Sequence, residues 1–275
     1  MPLSSNLFTR YEQEMRLRNY AHSTIKTYKL CLRQYVTWLT PTVPRDATPA
    51  QVHDFFHQLL ENKRSTAWIA QCVSALKFLY VDLYRRNPND YRFRHPRRQQ
   101  RLPYVPNRVE VRKLAAGTNN RKHRLAILLL YAAGLRASEL IAMNIGDVDL
   151  NRCTLHVYEG KGGKDRVTIF SKDLLTEIQW IMDKRPRAAP LIPARDGSRW
   201  TTRSLQKVIR RSADRAGLPK RLTPHSLRHA FATHLLEDGT ELRLIQGLLG
   251  HSSIQTTTRY ARIQDPRALQ LKSPL

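Results

Sequence analysis

The second half of the chain carries side chains able to bind a phosphate-like group and move protons around it. The segment Thr223-Pro224-His225-Ser226-Leu227-Arg228-His229 sets an imidazole and a guanidinium three residues apart, just behind a helix-start signal. Three residues is close to one helical turn, so His225 and Arg228 share a face near a helix N-terminus, where free N–H groups and the macrodipole favour an anion. A guanidinium donates two parallel hydrogen bonds to a phosphate. An imidazole one turn earlier can exchange a proton with whatever is bound there. On these residues alone, a helix-capping His225 and a surface Arg228 is the simpler reading.

Other segments carry related chemistry. Gly134-Leu135-Arg136-Ala137-Ser138-Glu139-Leu140 places Arg136 where an apolar helix breaks before a new one. Glu139, three residues on, can orient that arginine, or the two can be a structural pair across a helix junction. Glu159-Gly160-Lys161-Gly162-Gly163-Lys164-Asp165 reads as a glycine-bearing turn between two short strands. It is neither GxxxxGK[ST] nor GxGxxG, so no nucleotide fold follows from it. Lys161 on such a tip is reachable, which suits a groove contact, a proton donor or a plain solvated turn. Leu249-Gly250-His251-Ser252 precedes Tyr260, and spacing alone does not single out one of the 11 tyrosines. His225 and His229 lie at i, i+4, but without an HExxH pattern or a cysteine pair no metal site is expected.

Helices must position most of these groups. In the first half, Ile25, Tyr28, Leu32, Tyr35, Val36 and Leu39 follow the helical period behind a cap at Ser23 or Thr24. Thr48-Pro49 starts a second helix with the stripe Val52, Phe55, Phe56, Leu59 and Leu60. Ile69, Val73, Leu76, Leu79, Tyr80 and Leu83 form a third. The segment 85–106 is rich in arginine and proline and loses the apolar period. The sequence therefore divides into an N-terminal helical domain (1–94), a basic proline-containing linker (95–106) and a larger domain (107–275). In the larger domain the expected elements are an apolar helix over 121–133 closed by Gly134, a short helix from Ser138, strands at 154–158 and 166–170, and a helix within 171–185. Helices over 202–216, 223–238, 241–249 and from Ser252 or Ser253 to Tyr260 follow. The fold class is mainly α with a small β-sheet, an α+β second domain behind a helical first one.

Net charge narrows the partner. The 275 residues hold 47 Lys and Arg against 22 Asp and Glu, a formal charge of +25. Residues 1–106 carry 17 basic and 7 acidic side chains, and residues 107–275 carry 30 and 15. Both halves are basic, so this is not a globular domain with a basic tail. Self-repulsion of that size opposes folding and points to a polyanion gripped by two surfaces. Arg97 and Arg98 in the linker, and Arg203, Lys207, Arg210 and Arg211 on the basic helix, are the expected DNA contacts. The longest apolar run, Leu125–Leu135, falls short of the roughly 20 residues a membrane span needs. Three widely spaced cysteines form no disulfide framework, and a reducing, cytoplasmic setting is the simplest reading.

Taken together and in order, GLRASEL, GKGGKDR, PHSLRHAFATHLL and LLGHSSIQTTTRY resemble the tyrosine recombinases of the phage-integrase superfamily, and their intervals look like those of the simple Xer-type members. The resemblance is strong over about 107–263 and diffuse over the N-terminal helices, which look like the family's SAM-like core-binding domain. It implies a catalytic domain with Arg136, Lys161, His225, Arg228, His251 and Tyr260 in the catalytic positions and Glu139 as a brace for the arginines. It implies site-specific recombination of duplex DNA through a 3′-phosphotyrosyl intermediate, with no cofactor, metal or ATP, by a homo-tetramer on its target. The tail with Leu269 and Leu271 would then dock on a neighbour. No arm-binding module of the larger phage integrases is expected, and the need for an accessory protein stays open. The alternatives are a type IB topoisomerase-like strand transferase and a DNA-binding protein that does not cut.

Overall fold

The computed structural model describes residues 3–91, 93–97, 104–158, 165–219, 222–250 and 274. The chain divides into two compact units, Met1–Arg101 and Leu102–Leu275. Among the described residues, no helix is long and apolar enough to cross a membrane.

The N-terminal unit is helical. It runs through α1 (Leu3–Leu17), α2 (His22–Leu39), α3 (Pro49–Glu61), α4 (Thr66–Lys77) and the single turn α5 (Pro88–Tyr91). The first helix was not foreseen, because its polar majority hides an apolar stripe. Tyr11 and Met15 are fully buried, Leu7 and Phe8 pack beside them, and the Tyr11 hydroxyl donates to the Ala75 carbonyl at 2.9 Å. The second helix begins at His22 rather than at a Ser23 or Thr24 cap. Asn19 turns the chain in the left-handed region (φ 56°), and helix resumes so soon that Ser23 is already inside it. The third helix starts as expected, with Thr48 and Gln51 in a capping box and Pro49 in the first turn. The Ile69–Leu83 stripe is not one regular helix. After α4 the backbone widens into a π-helical stretch, Phe78–Leu83, which buries Phe78, Leu79, Tyr80 and Leu83. Tyr91 then stacks on Tyr80 (centroids 4.6 Å apart), and its carbonyl meets His53 Nε2 at 2.8 Å.

The second unit holds α6 (Arg108–Ala116), α7 (Arg121–Ala132) and α8 (Ala137–Ala142), then a three-stranded antiparallel sheet in the order β1 (Val148–Asp149), β2 (Thr154–Val157), β3 (Arg166–Ile169). Next come α9 (Leu175–Met182), α10 (Thr202–Arg215), α11 (Pro224–Glu237) and α12 (Leu242–Leu249). Neither α6 nor β1 is among the elements expected from the sequence. Asn107 and Glu110 close a capping box at the start of α6. The β2–β3 register pairs Leu155 with Thr168 and Val157 with Arg166. The largest core cluster sits around α7, whose Leu125, Ala126, Ile127, Leu129 and Leu130 are buried against residues from α6, α9, α10 and α11. The Pro274 carbonyl accepts from the Tyr131 hydroxyl at 2.9 Å and from Arg108 at 3.4 Å, so this point of the tail lies on its own unit.

Candidate active site

The site begins where α7 ends. Gly134 takes the left-handed conformation (φ +59°) that stops the helix, and a Cβ there would stand 2.4 Å from the Phe231 ring. Only glycine meets both demands, and the tight passage aims the Gly134 carbonyl at α11. Arg136 then caps α8. Its backbone N–H donates to Glu139 Oε2 and its NH1 to Oε1, both at 2.7 Å. A carboxylate in the first turn of a helix also suits the positive end of the dipole.

Arg228 reaches the same place from α11, one turn behind a Thr223–Ser226 capping box with Pro224 in the first turn. It is 4% exposed. NH1 donates to the Gly134 carbonyl at 2.6 Å and NH2 to the Leu249 carbonyl at 2.5 Å, while NH1 stands 3.6 Å from Glu139 Oε2. Five N–H groups on a guanidinium leave Arg228 with donors beyond these two bonds. Arg136 uses only NH1 within the described residues, and its side chain is 24% exposed. Two guanidinium groups therefore flank one carboxylate, each with donors to spare.

A third arginine, absent from the residues expected from the sequence, completes the cluster. Arg166, the first residue of β3, has a side chain 6% exposed and pairs both of its terminal nitrogens with Glu139, at 2.8 and 2.7 Å. Its Nε holds the Leu248 carbonyl at 2.7 Å. The strand register shows why it is buried. Directly paired residues of antiparallel strands share a face, so Arg166, opposite Val157, and Thr168, opposite Leu155, point to the buried side. A charge on that side needs a partner.

The electrostatics follow from burial and mutual contact. Burial alone would raise the Glu139 pKa. The Arg166 hydrogen bonds, the Arg136 backbone N–H and the arginine charges outweigh it and bring Glu139 down to about 2. Arg228 is lowered to about 10, mainly by burial and then by the Arg136 charge, with Glu139 opposing. Three guanidinium groups around one carboxylate leave the cluster cationic, as an anion site requires.

His225 is exposed at the start of α11, with its ring 4.3 Å from that of His229, edge to face. Burial first, then His225 and Arg228, lowers the His229 pKa. Among the described residues no group of three His, Cys, Asp or Glu side chains is placed to hold a metal ion. Lys161, His251, Tyr260 and Arg98 lie outside the described residues, as do Leu269 and Leu271. Arg97 is exposed. On α10, Leu205, Ile209 and Ala213 are buried, while Arg203, Lys207, Arg210 and Arg211 face solvent with no acidic partner among the described residues.

Comparisons with known proteins agree with this architecture. A model of the phage integrase family matches residues 108–267, and one of the phage integrase N-terminal SAM-like domain matches 7–90. The chain is 34% identical to tyrosine recombinase XerA of Thermococcus kodakarensis over 259 residues, covering 92% of this chain and 89% of the relative. It is 32% identical to tyrosine recombinase XerD of Yersinia pestis over 276 residues, covering 92% and 91%. Its fold is like that of a lambda integrase solved as a tetramer bound to a Holliday junction, with a TM-score of 0.74 at 18% identity, over 93% of this chain and 79% of that one.

Proposed function

The chain belongs to the phage integrase family and is a tyrosine-type site-specific DNA recombinase; we propose that it cuts and rejoins duplex DNA through a 3′-phosphotyrosyl bond to Tyr260. The observation that carries the proposal is the cluster in which Arg136 and Arg228 flank Glu139 and keep N–H groups unspent. In this reading the two guanidinium groups hold the non-bridging oxygens of one phosphate. They meet the charge that builds as the phosphorus becomes five-coordinate, a fixed electrostatic stabilisation. A phenol with pKa near 10 is only about 0.1% ionised at pH 7, so Tyr260 needs a base and a positive field. His225, exposed at the positive end of α11, serves as that base. Lys161 protonates the departing 5′-oxygen, and His251 hydrogen-bonds the phosphate. The phosphotyrosyl bond conserves the energy of the broken phosphodiester, so religation reverses the same steps without ATP.

Two basic units suit a clamp on DNA. We place backbone contacts on Arg97 and Arg98 of the basic linker 95–106, and groove contacts on Arg203, Lys207, Arg210 and Arg211. Four protomers assemble on two sites, as the lambda integrase neighbour does on a Holliday junction, with the part of the tail around Leu269 and Leu271 docking on the next protomer. The protein acts in the cytoplasm. The topoisomerase-like and non-cutting readings are not favoured, since the relatives that match nine-tenths of the chain are recombinases.

The test is incubation with a nicked duplex carrying the mapped target, followed by a denaturing gel. The wild-type protein is expected to form a covalent adduct. Tyr260→Phe is expected to bind the DNA and form none; an adduct from that variant refutes the assignment.

A further inference from the structure

We propose that Arg166 is a positioning residue of this site, occupying Glu139 so that Arg136 and Arg228 keep N–H groups for the scissile phosphate; the proposal rests on the reading of the pocket as the phosphate site. A carboxylate offers about four lone-pair positions. Here four donors fill them: Arg166 NH1 and Arg136 NH1 on Oε1, and Arg166 NH2 and the Arg136 backbone N–H on Oε2. With its acceptor positions filled, Glu139 engages the Arg136 side chain through one nitrogen, and Arg228 stays 3.6 Å away, outside hydrogen-bond reach.

Removing the Arg166 fork reverses this. A buried carboxylate stripped of two donors recruits the nearest cations, because an unpaired charge there is costly. Arg136 closes on it with both terminal nitrogens, Arg228 moves in, and each loses donors that the phosphate needs. Glu139 then competes with the substrate instead of bracing its ligands.

Arg166 has a second attachment. Its Nε holds the Leu248 carbonyl while Arg228 holds the Leu249 carbonyl, so two arginines pin the end of α12. Gly250 follows with φ +62°, and a Cβ on it would sit 2.8 Å from Arg166 Cδ. The glycine thus both ends the helix and leaves room for the Arg166 stem one residue before His251 in the sequence.

The experiment measures single-turnover adduct formation and DNA affinity separately, with the full chain and a nicked duplex bearing its mapped site. Arg166→Met is expected to slow the adduct by about 10- to 100-fold, the usual cost of losing a group that orients a catalytic ligand. Its DNA affinity should stay within about threefold, since Arg166 itself holds no phosphate. The diagnostic variant is E139Q/R166M. A neutral amide no longer draws Arg136 and Arg228 away, so the double variant is expected to cleave faster than R166M alone. A purely structural Arg166 gives a double variant no faster than R166M, which overturns the proposal, as does an R166M adduct rate equal to wild type. If R166M fails to melt cooperatively, Arg166→Lys takes its place. A single ammonium cannot reproduce the fork, and about a tenfold loss is expected, relieved by adding E139Q. Wild-type speed in R166K, or no relief, overturns the proposal. A wild-type protein that forms no adduct refutes instead the reading on which the proposal rests.

Discussion

The two units bury different things. Among the described residues, the buried side chains of the N-terminal unit are apolar or tyrosine, packed as Tyr35, Phe55, Tyr80, Tyr91 and their neighbours. Tyr35 and Tyr80 share a hydrogen bond at 2.7 Å, and Tyr11 and Tyr80 donate to the Ala75 and Pro44 carbonyls. The second unit buries Glu139 and Arg228, with the Arg166 side chain almost as deep, although burying charge opposes folding unless every partner is in place. One unit buries an apolar and tyrosine core alone, and the other adds a charged cluster to its apolar core. The difference is what makes the cluster the candidate site, since active sites are where a fold concentrates buried, mutually perturbed charges.

The largest expected effect tests the use of that charge. Arg228→Gln removes one of two cationic donors, and single-turnover cleavage should fall by about 10²- to 10³-fold, measured by adduct formation. A loss of less than about tenfold, with DNA affinity unchanged, would break the contrast between the units. Next is acid stability. The native Glu139 pKa of about 2 lies below the ordinary 4.5, so the folded state favours the ionised form. That stabilisation is fully present above pH 4.5 and is lost as pH falls towards 2, an amount on the order of 3 kcal/mol in the second unit. Denaturant melts at a series of pH values check this, and Glu139→Gln should flatten the acid limb. The smallest effect sharpens the other side. Tyr35→Phe deletes one hydroxyl from the N-terminal core and should cost about 1 kcal/mol, seen in the same melts, with cleavage by bound protein unchanged.

Much of this was legible in the sequence, for identifiable reasons. Helices with clear caps and stripes, such as α3 behind Thr48-Pro49 and α11 behind Thr223-Pro224, appear within a residue or two of their expected limits. The element α1 was hidden because the four apolar residues it packs, Leu7, Phe8, Tyr11 and Met15, lie among polar ones, and helicity there depends on burial against α2 and the Phe78–Leu83 stretch rather than on local pattern. The approach of Arg136, Glu139 and Arg228 could be anticipated from motif order, but the part of the site made by backbone could not. The Gly134, Leu248 and Leu249 carbonyls that position the arginines carry no side-chain signature. Arg166 was passed over because a strand arginine reads as solvent-facing until the register places it opposite Val157.

The central claim is that one phosphate is held jointly by Arg136 and Arg228 while bonded to Tyr260. A structure of the covalently trapped DNA complex tests it most directly. Continuous density is expected from the Tyr260 oxygen to phosphorus, with both guanidinium groups about 2.7–3.1 Å from its non-bridging oxygens. Phosphorus bonded to any other side chain, or an Arg228 that touches only the Gly134 and Leu249 carbonyls with no phosphate oxygen in reach, would contradict it.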